Sequence, residues 1–369
     1  MKLINATDMA AGYTLGMEPS GAERLVVAVK GTFTLPPRGE QPQLAEEQVP
    51  LTDADKFTGE PGLSAVTAEC DWAPHKPRCD ILLNGSAYAP GGKAAQRVQV
   101  GIKLGAWQKL FTVVGDRNWR GGPVPRAGAP EPFEVMPISY DNAFGGVDNF
   151  HPDPGQHRTY LPNPVGRGYH RLLEPYLVDN TPMPNTEESN APVTTPNGDY
   201  RPMSFGAIGR NFASRYPLAG TYDQNWQDNV FPFLPADFNP AYFQAAPEDQ
   251  QVDKIVGGEP VILLNLTPDG RRDFPLSAVE MPVVFFRRKG GRDEMKAAID
   301  TVIIEPDAQR FSLVWRASLP LKRNIFEVRQ IVVGHMSRAW WRSIETGKVH
   351  CPSLGHAVKT RGGILEEVG

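Results

Sequence analysis

The 369-residue chain has little of what marks a secreted or membrane-spanning protein. Its three cysteines are too few, and odd in number, to make a disulfide framework. The N-terminal segment Met1–Asp8 lacks the apolar core of a signal peptide. No apolar run approaches the roughly 18 residues that span a bilayer, and the longest are Val261–Leu264 and Pro282–Phe286. We therefore expect a cytoplasmic protein with no membrane partner and with Cys70 and Cys79 reduced.

An excess of positive charge is also missing. The formal net charge is −4, whereas general nucleic-acid binding needs a basic stripe. The one basic run, Phe286–Arg292, is short and contains two glycines. We interpret it as a solvated hairpin turn rather than a phosphate site, and we predict no nucleic-acid partner.

The familiar catalytic and cofactor motifs are absent. The sequence contains no Walker loop, no Gly-x-Ser-x-Gly and no His-Glu-x-x-His. The glycine clusters Gly121–Gly122 and Gly166–Gly168 precede no evident helix, so they are predicted to be turns and not phosphate cradles. Zinc ligands could come from a scattered set without regular spacing, which indicates structural or incidental residues: Cys70, Cys79, His335, His350, Cys351 and His356. We predict no metal, no cofactor and no enzymatic activity.

Proline and glycine, by contrast, are abundant, at 36 residues each. Because proline removes a donor and clashes with the preceding helical turn, the composition predicts a mainly β fold with few short helices. Sheet- or sandwich-like regions are expected at residues 1–115 and 251–335, and a helix and tail at 336–369. Alternating or β-branched runs predict strands at 23–35, 79–89, 97–104, 106–115, 259–266, 281–288, 300–305, 310–319 and 325–333, and a helix at 336–346.

The central region, residues 116–250, holds 20 of the 36 prolines and many scattered aromatic residues. A disordered linker would lack those rings, so we predict irregular chain packed on the sheets and pinned by buried aromatics. The polar segment Thr181–Asn197 is expected to be an exposed loop. A short helix is predicted within Asp237–Asp249.

The stretch from Gly115 to Gly146 is the most informative of all. It is too rich in glycine and proline for regular structure, yet too aromatic to be loose, which is typical of an ordered functional loop. Asp116 and Arg117 could form a buried ion pair with Trp119 packed beside it. Asp141 and Asn142 fit a turn built by side-chain-to-backbone hydrogen bonds.

Several separated motifs in this order resemble a known bacterial family, domain of unknown function 2169. They span residues 10–320: Ala73-Pro74, Lys76-Pro77, Gly85–Gly92, Gly115–Trp119, Pro132-Phe133, Met136-Pro137, Tyr140–Gly146, Asn163–Gly168, Phe205–Arg210, Ala219–Asp223, Trp226, Leu234–Phe238 and Ala246–Gln250. The resemblance implies a non-catalytic adaptor or chaperone of type VI secretion. Such a protein would bind a toxic effector, or its PAAR-containing part, and help load it on the VgrG spike.

The family resemblance carries over no catalytic residues. The candidate partner-binding residues come from the stretch between Gly115 and Gly146 and from the regions that follow it: Arg117, Trp119, Phe133, Tyr140, Phe144, Arg167 and Trp226. A preformed loop surface would lower the entropic cost of association.

Two other functions stay open. A hydrolase could act through Asp116, Asp141 and His151, which requires these side chains to share one pocket. A carbohydrate- or envelope-binding β-protein would use tyrosines and tryptophans as stacking platforms. That function predicts a row of exposed, coplanar rings.

Overall fold

Strands make up most of the regular structure in the computed structural model, which describes residues 1–346. The expected tail, with His350, Cys351 and His356, lies outside the described residues. The first fourteen strands are β1 (Lys2–Asn5), β2 (Ala10–Met17), β3 (Glu23–Thr34), β4 (Lys56–Phe57), β5 (Val66–Ala68), β6 (Cys79–Leu83), β7 (Gly85–Tyr88), β8 (Arg97–Leu104), β9 (Trp107–Val114), β10 (Trp119–Arg120), β11 (Arg126–Ala127), β12 (Val135–Ile138), β13 (Phe144–Gly145) and β14 (Val147–Asp148).

The remaining strands are β15 (Arg158–Thr159), β16 (Arg167–Gly168), β17 (Thr186–Glu187), β18 (Gln251–Val252), β19 (Pro260–Leu264), β20 (Arg271–Pro275), β21 (Pro282–Arg287), β22 (Arg292–Lys296), β23 (Ala298–Glu305), β24 (Arg310–Pro320) and β25 (Val328–Val333). The α-helices are α1 (Pro175–Val178), α2 (Gln224–Asn229) and α3 (Arg338–Thr346). Single 3-10 turns lie at 90–92, 140–142, 154–156, 216–219, 240–243, 248–250, 306–308 and 325–327. The prediction of a mainly β fold with few short helices is confirmed.

Three sheets combine strands from both ends of the chain. The six-stranded sheet has the order β18-β6-β23-β24-β3-β2, the five-stranded sheet β17-β9-β8-β19-β20, and the four-stranded sheet β1-β25-β21-β22. In each sheet, strands from before residue 115 lie beside strands from after residue 250. The two strand-rich regions therefore fold together around shared sheets.

The main core lies between these sheets. Along β24, Phe311, Leu313 and Trp315 point into it, because successive side chains of a strand face opposite sides. Phe311 meets Phe274 of the five-stranded sheet with ring centroids 5.4 Å apart. This contact joins the inner faces of the two largest sheets, as in a β-sandwich.

Most strands predicted from alternation are confirmed, including 97–104, which is found with the same bounds. The predicted basic hairpin turn is confirmed as well, because β21 and β22 pair antiparallel on either side of it. Strand β2 was missed, because its two glycines obscure the pattern. A Cβ at Gly12 would lie 2.6 Å from the Trp72 ring, and one at Gly16 would lie 2.5 Å from Pro74. These glycines make room for the segment that covers the sheet.

The prediction that 181–197 is an exposed loop is wrong. Met183 and the four residues after it are buried, and β17 within this segment pairs with β9. The polar side chains satisfy backbone groups inside the protein. Thr186 Oγ1 donates to the Met203 carbonyl at 2.6 Å, and Asn185 Nδ2 donates to that of Val114 at 3.0 Å. The polar residues of the 181–197 segment therefore form a buried hydrogen-bond network instead of a solvated loop.

A candidate interaction surface

Five large aromatic side chains lie close together in sequence at the protein surface, and we call them the aromatic surface: Tyr216, Tyr222, Trp226, Phe231 and Phe233. Tyr216 is 69% exposed and Phe231 is 67% exposed. The sequence predicted these rings to be buried pins, and for the four exposed ones that prediction is wrong. Exposed rings that pack together, as Tyr222 and Phe231 do with Trp226, mark interaction sites.

Helix α2 holds the aromatic surface in place. Asp223 caps the helix, since its Oδ1 accepts the Trp226 N–H at 2.8 Å. The indole Nε1 of Trp226 in turn donates to the Phe233 carbonyl at 2.9 Å and ties the following segment to the helix. Exposed rings with fixed positions lose little entropy on binding a partner.

The exposed rings pack edge to face. The planes of Tyr222 and Trp226 meet at 69°, and those of Trp226 and Phe231 at 89°, with centroids 4.7 Å and 5.6 Å apart. Such T-shaped pairs stabilise one another. The coplanar row that a sugar-stacking platform requires is not formed by these rings.

An apolar groove of about 330 Å³ adjoins the aromatic surface. It is lined by six apolar residues, Met17, Pro19, Pro74, Phe238, Pro240 and Phe243, and by four polar ones, Glu18, Ser20, Arg24 and His75. The Phe233 ring lies next to this groove, since a Cβ on Gly21 would lie 3.1 Å from the ring. A mainly apolar lining that also holds a few polar and charged groups suits a protein–protein interface.

Most of the partner-binding residues predicted from sequence lie elsewhere and are buried. Trp119 and Phe144 are fully buried, and Phe133, Tyr140 and Arg117 are each less than a tenth exposed. Of the seven, Trp226 belongs to the aromatic surface, and Arg167 is partly buried. Direct contact of the five buried side chains with a partner stays a prediction, whereas their packing inside the chain is evident.

The buried rings of the 116–146 stretch form a second, smaller core. Phe144 meets Tyr160 and Tyr200 edge to face, with centroids 5.0 Å away in both pairs. The Trp119 indole donates to the Gly168 carbonyl at 2.9 Å. These contacts hold the irregular chain in place, because it has only short pairs of hydrogen-bonded strands.

Glycines let two backbone segments touch in this small core. Strand β13 runs parallel to β16, and a Cβ on Gly145 would lie 2.2 Å from the Asn163 carbonyl oxygen. One on Gly166 would lie 2.5 Å from the carbonyl oxygen of Ala143. The Gly166–Gly168 cluster, predicted as a turn, therefore serves close backbone packing.

Arg117 forms a buried ion pair, but not with the predicted partner. Its Nη2 lies 2.6 Å from Oε2 of Glu187, whereas Asp116 is exposed and accepts from Asn185 Nδ2 at 2.9 Å. Glu187 also accepts from Arg97 and from the Val193 N–H. This ion pair therefore links the 116–146 stretch to the 181–197 segment.

The three candidate hydrolase residues have separate partners. Asp116 bonds to Asn185, Asp141 accepts from Thr58 Oγ1 at 2.7 Å, and His151 Nδ1 accepts the Asp153 N–H at 3.0 Å. Within residues 1–346, no hydrogen bond joins any two of the three. Asp141 also accepts the Ala65 N–H at 2.8 Å. It thus binds a neighbouring hairpin rather than forming part of an acid–base pair.

A polar cavity of about 280 Å³ lies on the outer face of the six-stranded sheet, below residues 49–71. Three of its buried cations are paired: Lys30 with Asp71 at 2.9 Å, Lys76 with Asp80 at 2.8 Å and Arg316 with Asp300 at 2.5 Å. These pairs bind the covering segment and neighbouring strands to one another.

The groups around this cavity are poorly suited to nucleophilic chemistry. Burial raises the pKa of the Cys70 thiol, which disfavours the reactive thiolate. Burial alone would favour the neutral amine of Lys76, but Asp80 and Glu69 hold the pKa of Lys76 above its ordinary value. Its ammonium group therefore stays charged and structural.

Asp148 joins two segments of the irregular region. It is 5% exposed, and its carboxylate accepts the backbone N–H groups of Phe150 at 3.1 Å and of Arg171 and Leu172 at 2.7 Å each. Burial alone would raise the pKa of Asp148, but these three donors hold it below its usual value.

Replacing this carboxylate tests the connection and its pH dependence. We expect Asp148→Asn to lower the free energy of unfolding by about 2 kcal/mol near neutral pH, because an amide group would face backbone donors. A carboxylate with a depressed folded pKa stabilises above its unfolded pKa of about 3.9 and loses that effect as pH falls through the folded value. Denaturant unfolding should therefore show a smaller difference from wild type at about pH 3 than at about pH 7. An equal difference at both would contradict this account.

The chain belongs to a family of uncharacterised proteins conserved in bacteria, domain of unknown function 2169 (DUF2169), which matches residues 20–316. This confirms the family resemblance of the sequence motifs. No curated protein and no solved structure matches the chain. Among residues 1–346, no group of three or more potential metal ligands lies together, and no helix has the length and apolar character to cross a membrane.

Proposed function

We propose that this protein is a non-catalytic adaptor that binds another protein through the aromatic surface and its apolar groove. The observation that carries the proposal is the exposure of Tyr222 and Phe231, whose rings pack against Trp226 of α2. Aromatic residues with an adjoining pocket are the usual energetic centres of protein interfaces.

The identity of the partner rests on the sequence motifs shared with the DUF2169 family. We propose a cytoplasmic partner, a type VI secretion effector or its PAAR-containing part, which the adaptor would help load on the VgrG spike. The hydrolase and carbohydrate-binding alternatives lack a specific observation in their favour, since the candidate residues have separate partners and the exposed rings are not coplanar.

Co-purification from the native bacterium tests this function. The tagged full-length chain should capture a PAAR-containing protein or an effector encoded with the secretion genes. A purified pair should then bind directly, with a dissociation constant of about 1 μM or tighter. If the chain captures neither an effector nor a spike component from cells that assemble the secretion system, the proposed role is wrong.

A further inference from the structure

A second groove, of about 680 Å³, lies between the β21–β22 turn and the segment before β25. It is lined by six basic residues, Arg287, Arg288, Lys289, Arg292, Lys322 and Arg323, and by two acidic ones, Asp293 and Glu327. This gives the groove a net charge of +4 on a chain whose net charge is −4. The groove is therefore a local exception to the charge of the whole protein. We call it the basic groove.

Four of these cations have no partner carboxylate within residues 1–346. Arg287 pairs with Asp293 and Glu327, and Arg292 pairs with Glu294. Among the described side chains, the rest make no salt bridge, and all of them are exposed: Arg288, Lys289, Lys322 and Arg323. Like charges held together without counterions favour the binding of an anionic partner.

The two walls of the basic groove are fixed to each other. Arg288 N–H donates to the Glu327 carbonyl at 2.7 Å, and Arg288 Nε donates to that of Phe326 at 3.1 Å. Glu327 also pairs with Arg287 across the groove at 2.9 Å. The cations are thus presented on a rigid frame, which a partner does not have to order.

An apolar anchor lies among the cations. The Phe326 side chain is 71% exposed at the edge of the groove. Gly290 and Gly291, on the opposite side, have open space where a side chain would lie. A partner can therefore approach the backbone of the turn while it contacts the ring.

We infer that the basic groove binds an acidic protein segment, an Asp- and Glu-rich stretch that also carries an apolar side chain for Phe326. Carboxylates match the unpaired Lys and Arg side chains, and Phe326 adds an apolar contact that a phosphate backbone does not use. This inference is independent of the proposed function, since the basic groove shares no residue with the aromatic surface.

Fluorescence anisotropy with a labelled peptide tests the inference on the full chain. The probe is a short Glu-rich peptide with one central Phe, compared with the same peptide carrying Gln for Glu. We expect the acidic peptide to bind at least about tenfold more tightly, and its binding to weaken as salt is raised. Equal binding of both peptides, or no binding of either, would overturn the inference.

Matched charge variants locate the site. Lys322→Glu with Arg323→Glu should weaken binding of the acidic peptide at least about tenfold. Lys93→Glu with Lys103→Glu changes the net charge equally at exposed positions outside the groove and should leave binding unchanged. Both variants should keep the thermal midpoint of wild type. Equal losses in the two variants would overturn the inference, as would tighter binding of a single-stranded DNA probe at the same groove.

Discussion

Glu187→Gln should lower the free energy of unfolding by about 3–5 kcal/mol, because it leaves the buried Arg117 guanidinium without its counter-charge. Glu187 is 1% exposed and its Oε2 lies 2.6 Å from Arg117 Nη2. The same oxygen accepts the Val193 N–H at 3.0 Å. The substitution therefore destabilises the 116–146 stretch and the 181–197 segment together. Denaturant unfolding of the full chain measures the change.

Arg97→Gln is the matched control. Arg97 also pairs with Glu187, but 46% of its side chain is exposed, so its loss should cost about 1 kcal/mol or less. Equal effects of the two substitutions would contradict the assignment of Arg117 and Glu187 as the buried pair. A Glu187→Gln variant as stable as wild type would do the same.

The second large effect is expected on binding rather than on stability. Trp226→Ala with Phe231→Ala should weaken partner binding by about a hundredfold or more, since aromatic hot spots contribute about 2 kcal/mol or more each. Phe231 is 67% exposed, so the single variant Phe231→Ala should keep the stability of wild type. Isothermal titration with the co-purified partner measures the change.

The control for this surface is a pair of exposed apolar residues elsewhere. Leu161 is 64% exposed and Tyr176 is 78% exposed, and neither lies in the aromatic surface. Leu161→Ala with Tyr176→Ala should leave partner binding unchanged. If this control loses as much affinity as the aromatic variant, the effect is a general one of exposed apolar area and the surface is misassigned.

Many strands could be predicted from the sequence because apolar and polar residues alternate along them. In β8, Val98, Val100, Ile102 and Leu104 are buried, whereas Arg97, Gln99 and Lys103 on the other face are exposed. Such a pattern reports one buried face directly. Strand pairing between the two ends of the chain could not be predicted, since it depends on contacts between distant residues.

The irregular region was harder to predict, for a physical reason. Composition gives the average environment of a segment, whereas Glu187 owes its burial to Arg117, 70 residues upstream. For the aromatic rings the error is the reverse, because several rings predicted to be buried are exposed. Trp119 and Tyr222 both lie in proline-rich chain, but Trp119 is buried in a small core and Tyr222 is 50% exposed. Only the three-dimensional packing separates rings that support the chain from rings that a partner can contact.

Amide hydrogen exchange of the free chain and of its complex with the co-purified partner tests the central claim most directly. The claim is that the aromatic surface binds the partner, while the 116–146 stretch is an internal support. We therefore expect exchange to slow on binding in residues 216–243 and to stay unchanged in 116–146. Protection of 116–146 without any change in 216–243 would contradict the account.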